Sequence, residues 1–438
     1  VTRRLLLVGA GRHAERIYLP VLTETARRGD VILTGVVELA TRAEKVRPLV
    51  PALMTVIQDQ LAGDREHVYA EITRLYRSAP FDAMLIANDP RCRQAYFDFA
   101  CDHGIAVFTD KPVFAVDGIA HDPRLATIYA QQLHALDARV RAAGIEFVIQ
   151  TQRRDHPGYL HIRNLVRACS DRHGLPVTSL QIQHADGMWV LADEWEREHH
   201  PYKYGFGKLF HSGYHFVDLA AFLLADTLAA HNILTVDIAA KAVMAASAPL
   251  PDTGRNMPPL DRRGYGEYDV HALLDFGPCT TQLTLLQNSF SDRDPSRKVT
   301  DPYKGTGRVR HERIDLKIST AMNIQVHSYQ SSSTPEPAGN AVGQTDHYEI
   351  LIFRNPSLEP GPVCERLTMD DLSSGQTQAH NEKSRISLLQ KFLRHEPTGS
   401  ELADYGLTGN LVSAIYAALA QHPGRIGTCS WNLTNAGR

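Results

Sequence analysis

The chain has 438 residues, 43% hydrophobic and 22% charged, with a formal net charge of −3 at pH 7. That length predicts two domains, since one core rarely serves so long a chain, and the composition is that of a globular protein. The balanced charge argues against nucleic acid or an anionic membrane as partner, and no apolar run approaches the roughly 20 residues that span a bilayer.

The first 150 residues alternate strand and helix patterns. Leu5–Val8 reads as a strand covered on both faces, and His13–Arg28 as a helix bent at Pro20. Val31–Val37 is β-rich and ends at Glu38. Glu66–Arg77 has helical spacing, Ala83–Ala87 is a buried strand, and Arg91–His103 a helix stopped by Gly104. Ile105–Phe108 and Phe147–Thr151 read as strands on either side of a helix over Leu125–Ala143. This alternation predicts a doubly wound parallel sheet over residues 1–150.

From residue 151 the texture changes. A helix over Gly158–Cys169 precedes a strand at Val177–His184, and a polar, aromatic stretch leads to a helix over Ser212–Leu224. Val270–Phe276 and Thr280–Leu286 read as an antiparallel hairpin around Gly277-Pro278. Further β-runs lie at Ile314–Ile318, Ile324–Tyr329 and Tyr348–Phe353, and helical patterns at Lys383–Arg394 and Leu407–Gln421. Residues 151–438 are expected to form an α+β domain. Pro249–Arg263 and Ser331–Gln344 read as surface loops, and there is no internal repeat.

Four features carry chemistry. Gly9-x-Gly11-x-x-Ala14 joins the first strand to the first helix. Gly9 permits a tight turn, Gly11 a close approach of phosphate, and Ala14 close helix–strand packing. Glu38, 27 residues after Gly11, suits the two hydroxyls of an adenosine ribose and would repel a 2′-phosphate, which favours NAD; Arg42 keeps NADP open. Lys111-Pro112 follows the strand at Ile105–Phe108, where a lysine can stabilise a developing alkoxide. His211 and His215 are four apart, as are Tyr214 and Asp218, so each pair shares a helix face. A neutral imidazole is a suitable proton acceptor, though a structural histidine or half of a zinc site are rival readings. No third and fourth metal ligand show clear spacing, and no metal is expected.

In the order and spacing of these residues the sequence resembles the Gfo/Idh/MocA oxidoreductases. The likeness comprises Gly9-Ala10-Gly11-Arg12-His13-Ala14, Glu38, Asn88-Asp89-Pro90, Asp110-Lys111-Pro112 and the segment Gly207–Asp218. The resemblance implies a Rossmann domain followed by a large, open, mostly antiparallel sheet, with substrate between that sheet and the nicotinamide. It assigns the dinucleotide to Gly9, Gly11, Arg12, His13, Ala14, Glu38, Asn88, Pro90, Lys111 and Pro112. Lys111 would contact nicotinamide ribose and substrate, and His215 would be the acid/base. The family's aspartate four residues earlier is His211 here, which cannot support an imidazolium by charge; His211 is open to binding substrate, being the base itself, or marking altered chemistry.

Arg153 and Arg154 leave the first domain facing the expected cleft, where arginine can grip a carboxylate or phosphate. Tyr202, Lys203 and Tyr204 are candidates to line a sugar site. A solvated linker is the competing reading for all five. The seven Lys and Arg residues within Arg293–Arg313 suit either a phosphorylated substrate or a solvated loop, and His199-His200 read as a polar loop. The leading expectation is hydride transfer between nicotinamide and a hydroxyl or keto group of a sugar or polyol. Internal redox on tightly bound NAD, and a non-catalytic NAD sensor, are the alternatives. A homodimer or homotetramer is implied by the resemblance. Six scattered cysteines without a C-x-x-C pair, and an early strand that leaves no room for a cleavable signal, predict a cytoplasmic setting.

Overall fold

The computed structural model describes residues 2–11, 13–50, 53–186, 204–244, 266–287, 309–331, 346–373 and 380–433. Arg12, His199, His200, Tyr202, Lys203, the loop at Pro249–Arg263, most of Arg293–Arg313, and Ser331–Gln344 apart from Ser331 lie outside the described residues.

Six strands form the first sheet: β1 (Arg3–Val8), β2 (Val31–Leu39), β3 (Leu53–Ile57), β4 (Ala83–Ile86), β5 (Ala106–Thr109) and β6 (Phe147–Ile149). All neighbours are parallel, in the order β3-β2-β1-β4-β5-β6. Strand order therefore reverses between β1 and β4, which opens a crevice at the carboxyl edge of the sheet. Leu5 to Val8 are buried on both faces, as a parallel strand requires.

The helices that cover this sheet are cut by local chemistry. Asp64 caps the helix Arg65–Ser78 by accepting from His67 N at 3.0 Å, and Gly104 ends the helix Gln94–His103 at φ +67°. The segment read as one helix bent at Pro20 is instead a wide π-turn, Ala14–Tyr18, leading into α1 (Leu19–Arg27). Pro20 thus falls in the first turn of α1, where its missing N–H costs little, and no mid-helix bend is needed. Likewise β6 stops at Ile149 rather than Thr151, because Gln152–Asp155 closes into a 3₁₀ turn.

The second sheet has nine strands: β7 (Val177–Ala185), β8 (Thr235–Met244), β9 (Glu267–Asp275), β10 (Thr280–Leu286), β11 (Val309–Ile318), β12 (Met322–Ser331), β13 (Asp346–Arg354), β14 (Cys364–Thr368) and β15 (Gly427–Asn432). Their order is β14-β13-β12-β11-β7-β10-β9-β8-β15. Every pairing is antiparallel except β7–β10, and the expected hairpin is β9–β10. β3, β8, β14 and β15 go beyond the strands read from sequence.

The buried face of this sheet packs against the long helices Pro157–His173, Tyr214–Ala230 and Gly406–Gln421. A helix near the carboxyl end, His380–Leu393, covers the first sheet instead. Its Leu388, Leu389 and Phe392 join Leu5, Leu7 and Phe108 in one core cluster. Ile149 N also donates to Ser400 O at 2.9 Å. Among the described residues no helix is long and apolar enough to cross a membrane.

A buried ion pair ties the junction together. The Arg154 guanidinium grips Asp218 with bonds of 2.8 and 3.0 Å to Oδ1, and also reaches Thr408 Oγ1 at 3.1 Å and the Asp404 carbonyl at 3.2 Å. Thr408 donates to Asp218 as well, at 2.8 Å. Three separated segments meet at one carboxylate. Asp218→Ala is expected to lower the unfolding free energy by about 3–5 kcal/mol, since it strands a buried cation. Breaking the exposed Arg74–Glu71 pair should change it by less than about 1 kcal/mol, and chemical denaturation reads both.

Candidate functional site

The crevice begins at the glycine turn. Gly9 adopts φ +79°, and a Cβ there would stand 3.0 Å from Asn88 N, so only glycine permits this contact between the turns after β1 and β4. A Cβ on Gly11 would meet no atom within 4 Å, which leaves open room above the turn. Ala10 and Ala14 are fully buried against the sheet. Glu38 holds the turn from the side: Oε2 accepts from Ala10 N at 2.8 Å, and Oε1 from Leu39 N at 2.9 Å. Arg42 donates to the Ala10 carbonyl at 3.0 Å and pairs with Glu15 at 3.3 Å.

Arg93, absent from the sequence reading, links the other two loops of the edge. Nη2 donates to Asn88 O at 2.6 Å, and Nη1 to the carbonyls of Pro112, at 2.6 Å, and Asp110. Pro90 opens a 3₁₀ turn capped by Asp89. Arg91 from that turn lies 3.3 Å over the Tyr204 ring, so Tyr204 rests on the edge of the first sheet. The Asn88 side-chain oxygen is buried with no hydrogen bond among the described residues.

The Lys111–Pro112 peptide is cis, and Lys111 Nζ donates to the backbone carbonyl of His211. The lysine and the histidine segment therefore meet across the crevice, as expected, although the contact uses the backbone of His211. Burial, with Arg385 and Arg153 nearby, pulls the Lys111 ammonium down to about 7; Asp110 and Asp186 act in the opposite sense. Asp110 accepts from Tyr18 and lies 3.8 Å from His13, whose imidazole burial lowers to about 4.

The histidine segment starts as a second π-turn, Leu209–Gly213, before the helix Tyr214–Ala230. Gly213 N reaches back to Lys208 O at 2.8 Å, and a Cβ on Gly213 would stand 2.7 Å from that carbonyl. Glu267, buried at the base, accepts from Leu209 N at 2.9 Å and Tyr416 OH at 2.8 Å. His215 is buried beside Gln152, with 3.4 Å between Gln152 Nε2 and His215 Nε2. Its imidazole is held well below 6.5, first by burial and then by Lys111, Arg153, Arg385 and His184.

A carboxylate does enter the region, from a different element. Asp186, just after β7, pairs with Lys208 at 2.9 Å, lies 3.5 Å from Arg310 and accepts from Ser212. Arg153 pairs with Glu312, which also accepts from Tyr159 OH at 2.9 Å. Arg153 packs 4.0 Å from the centre of Phe216, the ring on which His184 stacks. Arg154, read as a cleft arginine, is instead fully engaged inside the protein by Asp218, Thr408 and Asp404. The amide of Gln150, Gln152 Oε1, Arg153 Nε and His215 Nδ1 are buried and without hydrogen bonds among the described residues. These polar atoms suit a hydroxyl-rich ligand. Gln150 and Gln152 share the segment that drew notice for its arginines; Arg93, Asp186 and Arg385 carried no local signal.

No protein-family model matches the chain, and no curated protein matches it in sequence. Solved structures match its fold over nearly its whole length. An oxidoreductase from Agrobacterium radiobacter, in complex with NAD+, L-tartaric acid and magnesium, is 14% identical, with 99% of each chain covered and a TM-score of 0.60. An aldose-aldose oxidoreductase from Caulobacter crescentus, complexed with glycerol, is 14% identical over 97% of this chain and 99% of its own, with a TM-score of 0.59. The WlbA dehydrogenase from Bordetella pertussis, in complex with NADH and UDP-GlcNAcA, is 12% identical over 97% of each chain, also at 0.59. The chain therefore has the fold of these oxidoreductases: a doubly wound parallel sheet joined to a large, mostly antiparallel one.

Proposed function

We propose that the chain is an NAD-dependent oxidoreductase of the Gfo/Idh/MocA type that acts on a hydroxyl or keto group of a sugar, polyol or related compound. The observation that carries this reading is the meeting of half-buried Lys111 with the His211–His215 segment beside the glycine turn. The open room over Gly11, the strained Gly9 turn and the unbonded Asn88 oxygen suit a dinucleotide, with Gly9, Gly11, His13, Ala14, Glu38, Asn88 and Pro90 to hold it. Glu38 keeps lone pairs for ribose hydroxyls, and Arg42 is already bonded to Ala10, Glu15 and Glu38, which supports NAD over NADP. When bound, the nicotinamide would supply the hydride acceptor.

The protein's share of the chemistry is proton transfer and positioning. His215 is neutral near pH 7 and takes the proton of the substrate hydroxyl as the carbon gives up its hydride. Lys111 lends its ammonium to the oxygen as negative charge develops there. Gln152 orients the imidazole, and Arg153, fixed by Glu312, sets the wall beside it. His211 anchors Lys111 through its backbone carbonyl. Arg154 is a positioning residue for the Asp218 end of the helix.

The open face of the nine-stranded sheet is proposed to carry homo-oligomer contacts. It has a depression of about 270 Å³ lined by Gln181, Gln183, Gln282, Thr284, Asp315 and His327, and Leu273 and Phe353 are exposed on the same sheet. All six cysteines are free thiols, in keeping with a reducing compartment such as the cytoplasm.

Reduction of NAD, followed at its near-ultraviolet absorbance with a panel of sugars and polyols, tests the reading. His215→Asn should lower kcat about 10²–10⁴-fold and Lys111→Met about 10²-fold or more; a full rate in either variant would sink the assignment. The pH profile has a definite sign. Lys111 is charged below about 7 and His215 stays neutral down to well below 6.5. For alcohol oxidation, kcat/KM should hold level from the acid side and fall above about pH 7, where the ammonium is lost. Sedimentation velocity should show two or four associated chains, and Gln282→Arg should shift them toward monomer.

A further inference from the structure

The helix His380–Leu393 does more than cover the first sheet. Leu388, Leu389 and Phe392 fix it in the core, and Lys391 pairs with Asp155 in the 3₁₀ turn below β6. It also packs against the π-turn of the glycine helix and against the Gln152–Asp155 turn. Arg385 lies six residues before Lys391, about 9 Å along the axis, on this helix that touches both the glycine helix and the Gln152–Asp155 turn. Its charge acts on Lys111 and His215. Arg310, Arg16 and Arg153 in turn act on Arg385, whose guanidinium burial and these cations pull down to about 10.

Each nearby carboxylate already has partners. Asp110 serves Tyr18 and His13, Glu312 serves Arg153 and Tyr159, Asp155 serves Lys391, and Asp186 serves Lys208, Ser212 and Arg310. Among the described residues Arg385 makes no hydrogen bond and no ion pair. A cation held among other cations, with every local carboxylate engaged, is unfavourable unless a ligand brings negative charge. The groups around Arg385 divide between two regions. Arg16 and Tyr18 stand on the glycine helix, whereas Arg153, Arg310, Lys111 and His215 stand at the reacting end.

We propose that Arg385, with Arg310 and Arg153 beside it, forms an anion subsite at the reacting end of the crevice, and that the substrate is a hydroxy compound bearing a carboxylate or phosphate. This rests on the oxidoreductase reading above and narrows its substrate class. Arginine suits the role, because its planar fork bonds two oxygens of either group at once. The anion would restore the local charge balance and fix the distance between the charged group and the carbon that loses hydride.

The test uses three probes that share a carbon chain: D-glucitol, D-gluconate and D-glucitol 6-phosphate. Each is titrated by calorimetry into the full chain saturated with NAD, at low ionic strength, and NAD affinity is measured separately. At least one charged probe should bind tenfold or more tightly than D-glucitol, and which one does so identifies carboxylate or phosphate. Arg385→Gln should reduce that probe to the affinity of D-glucitol, Arg385→Lys should retain part of the gain, and both variants should bind NAD within threefold of the parent. The inference is overturned if D-glucitol binds as tightly as both charged probes. It is equally overturned if Arg385→Gln weakens NAD tenfold and leaves the charged probe unchanged, since Arg385 would then serve the dinucleotide phosphates. Failure of the parent chain to bind NAD at all would instead defeat the oxidoreductase reading.

Discussion

The crevice depends on one guanidinium that has no carboxylate of its own. Arg93 spends its donors on the carbonyls of Asn88, Asp110 and Pro112, groups that β4 and β5 leave unpaired as they end. A planar fork can bond several carbonyls from one position, which a lysine cannot do. The consequences run in both directions. Asn88 supports the strained turn at Gly9, and Pro112 holds Lys111 where it meets the second sheet's helix. One buried side chain thus keeps the glycine turn and the lysine loop in a single arrangement, so the two sides of the crevice are set before any ligand arrives.

Electrostatics at the reacting end follows from burial among cations. Burial first, and then Lys111, Arg153 and Arg385, press His215 toward its neutral form. That is the state a proton acceptor needs near neutral pH. The aspartate that the family resemblance leads one to expect on the histidine helix is replaced in sequence by His211. In space a carboxylate approaches from β7 as Asp186, but Lys208 and Ser212 claim it. The proposed base is therefore tuned by burial and by neighbouring cations rather than by a matched pair.

The architecture was largely legible in the chain. Leu5–Val8, Ala83–Ile86 and the β9–β10 hairpin carry their own period and turn signals, and Gly104 and Asp64 mark helix ends by local conformational preference. β3, β14 and β15 were not legible, because short edge strands take their identity from a neighbour rather than from a pattern; β8, ten residues long and inside the sheet, does alternate in burial and went unread. The placing of the candidate site was legible where it depends on adjacent residues: the turn at Gly9 and Gly11, and the meeting of Lys111 with the segment of His211 and His215. It was opaque where distant segments converge. Arg154 looked like a cleft residue until Asp218, Thr408 and Asp404 were seen around it. Arg93, just before a helix, and Arg385, inside one, are ordinary residues in one dimension, and only the packing around them gives them meaning.

The two helices that face the crevice both begin with a turn one residue wider than an α-helix. At Leu209–Gly213 this extra residue brings Gly213 N to Lys208 O, and His211 lies in the wide turn while His215 lies in the helix that follows. Removing one residue between Lys208 and Gly213 would restore the narrow ladder and swing the preceding segment by about 100°. Lys111 would then face a different carbonyl, and the bonds from Lys208 N and Leu209 N to Glu267 would be broken. The wide turn thus sets which backbone carbonyl stands opposite the lysine, and Glu267 holds that choice in place.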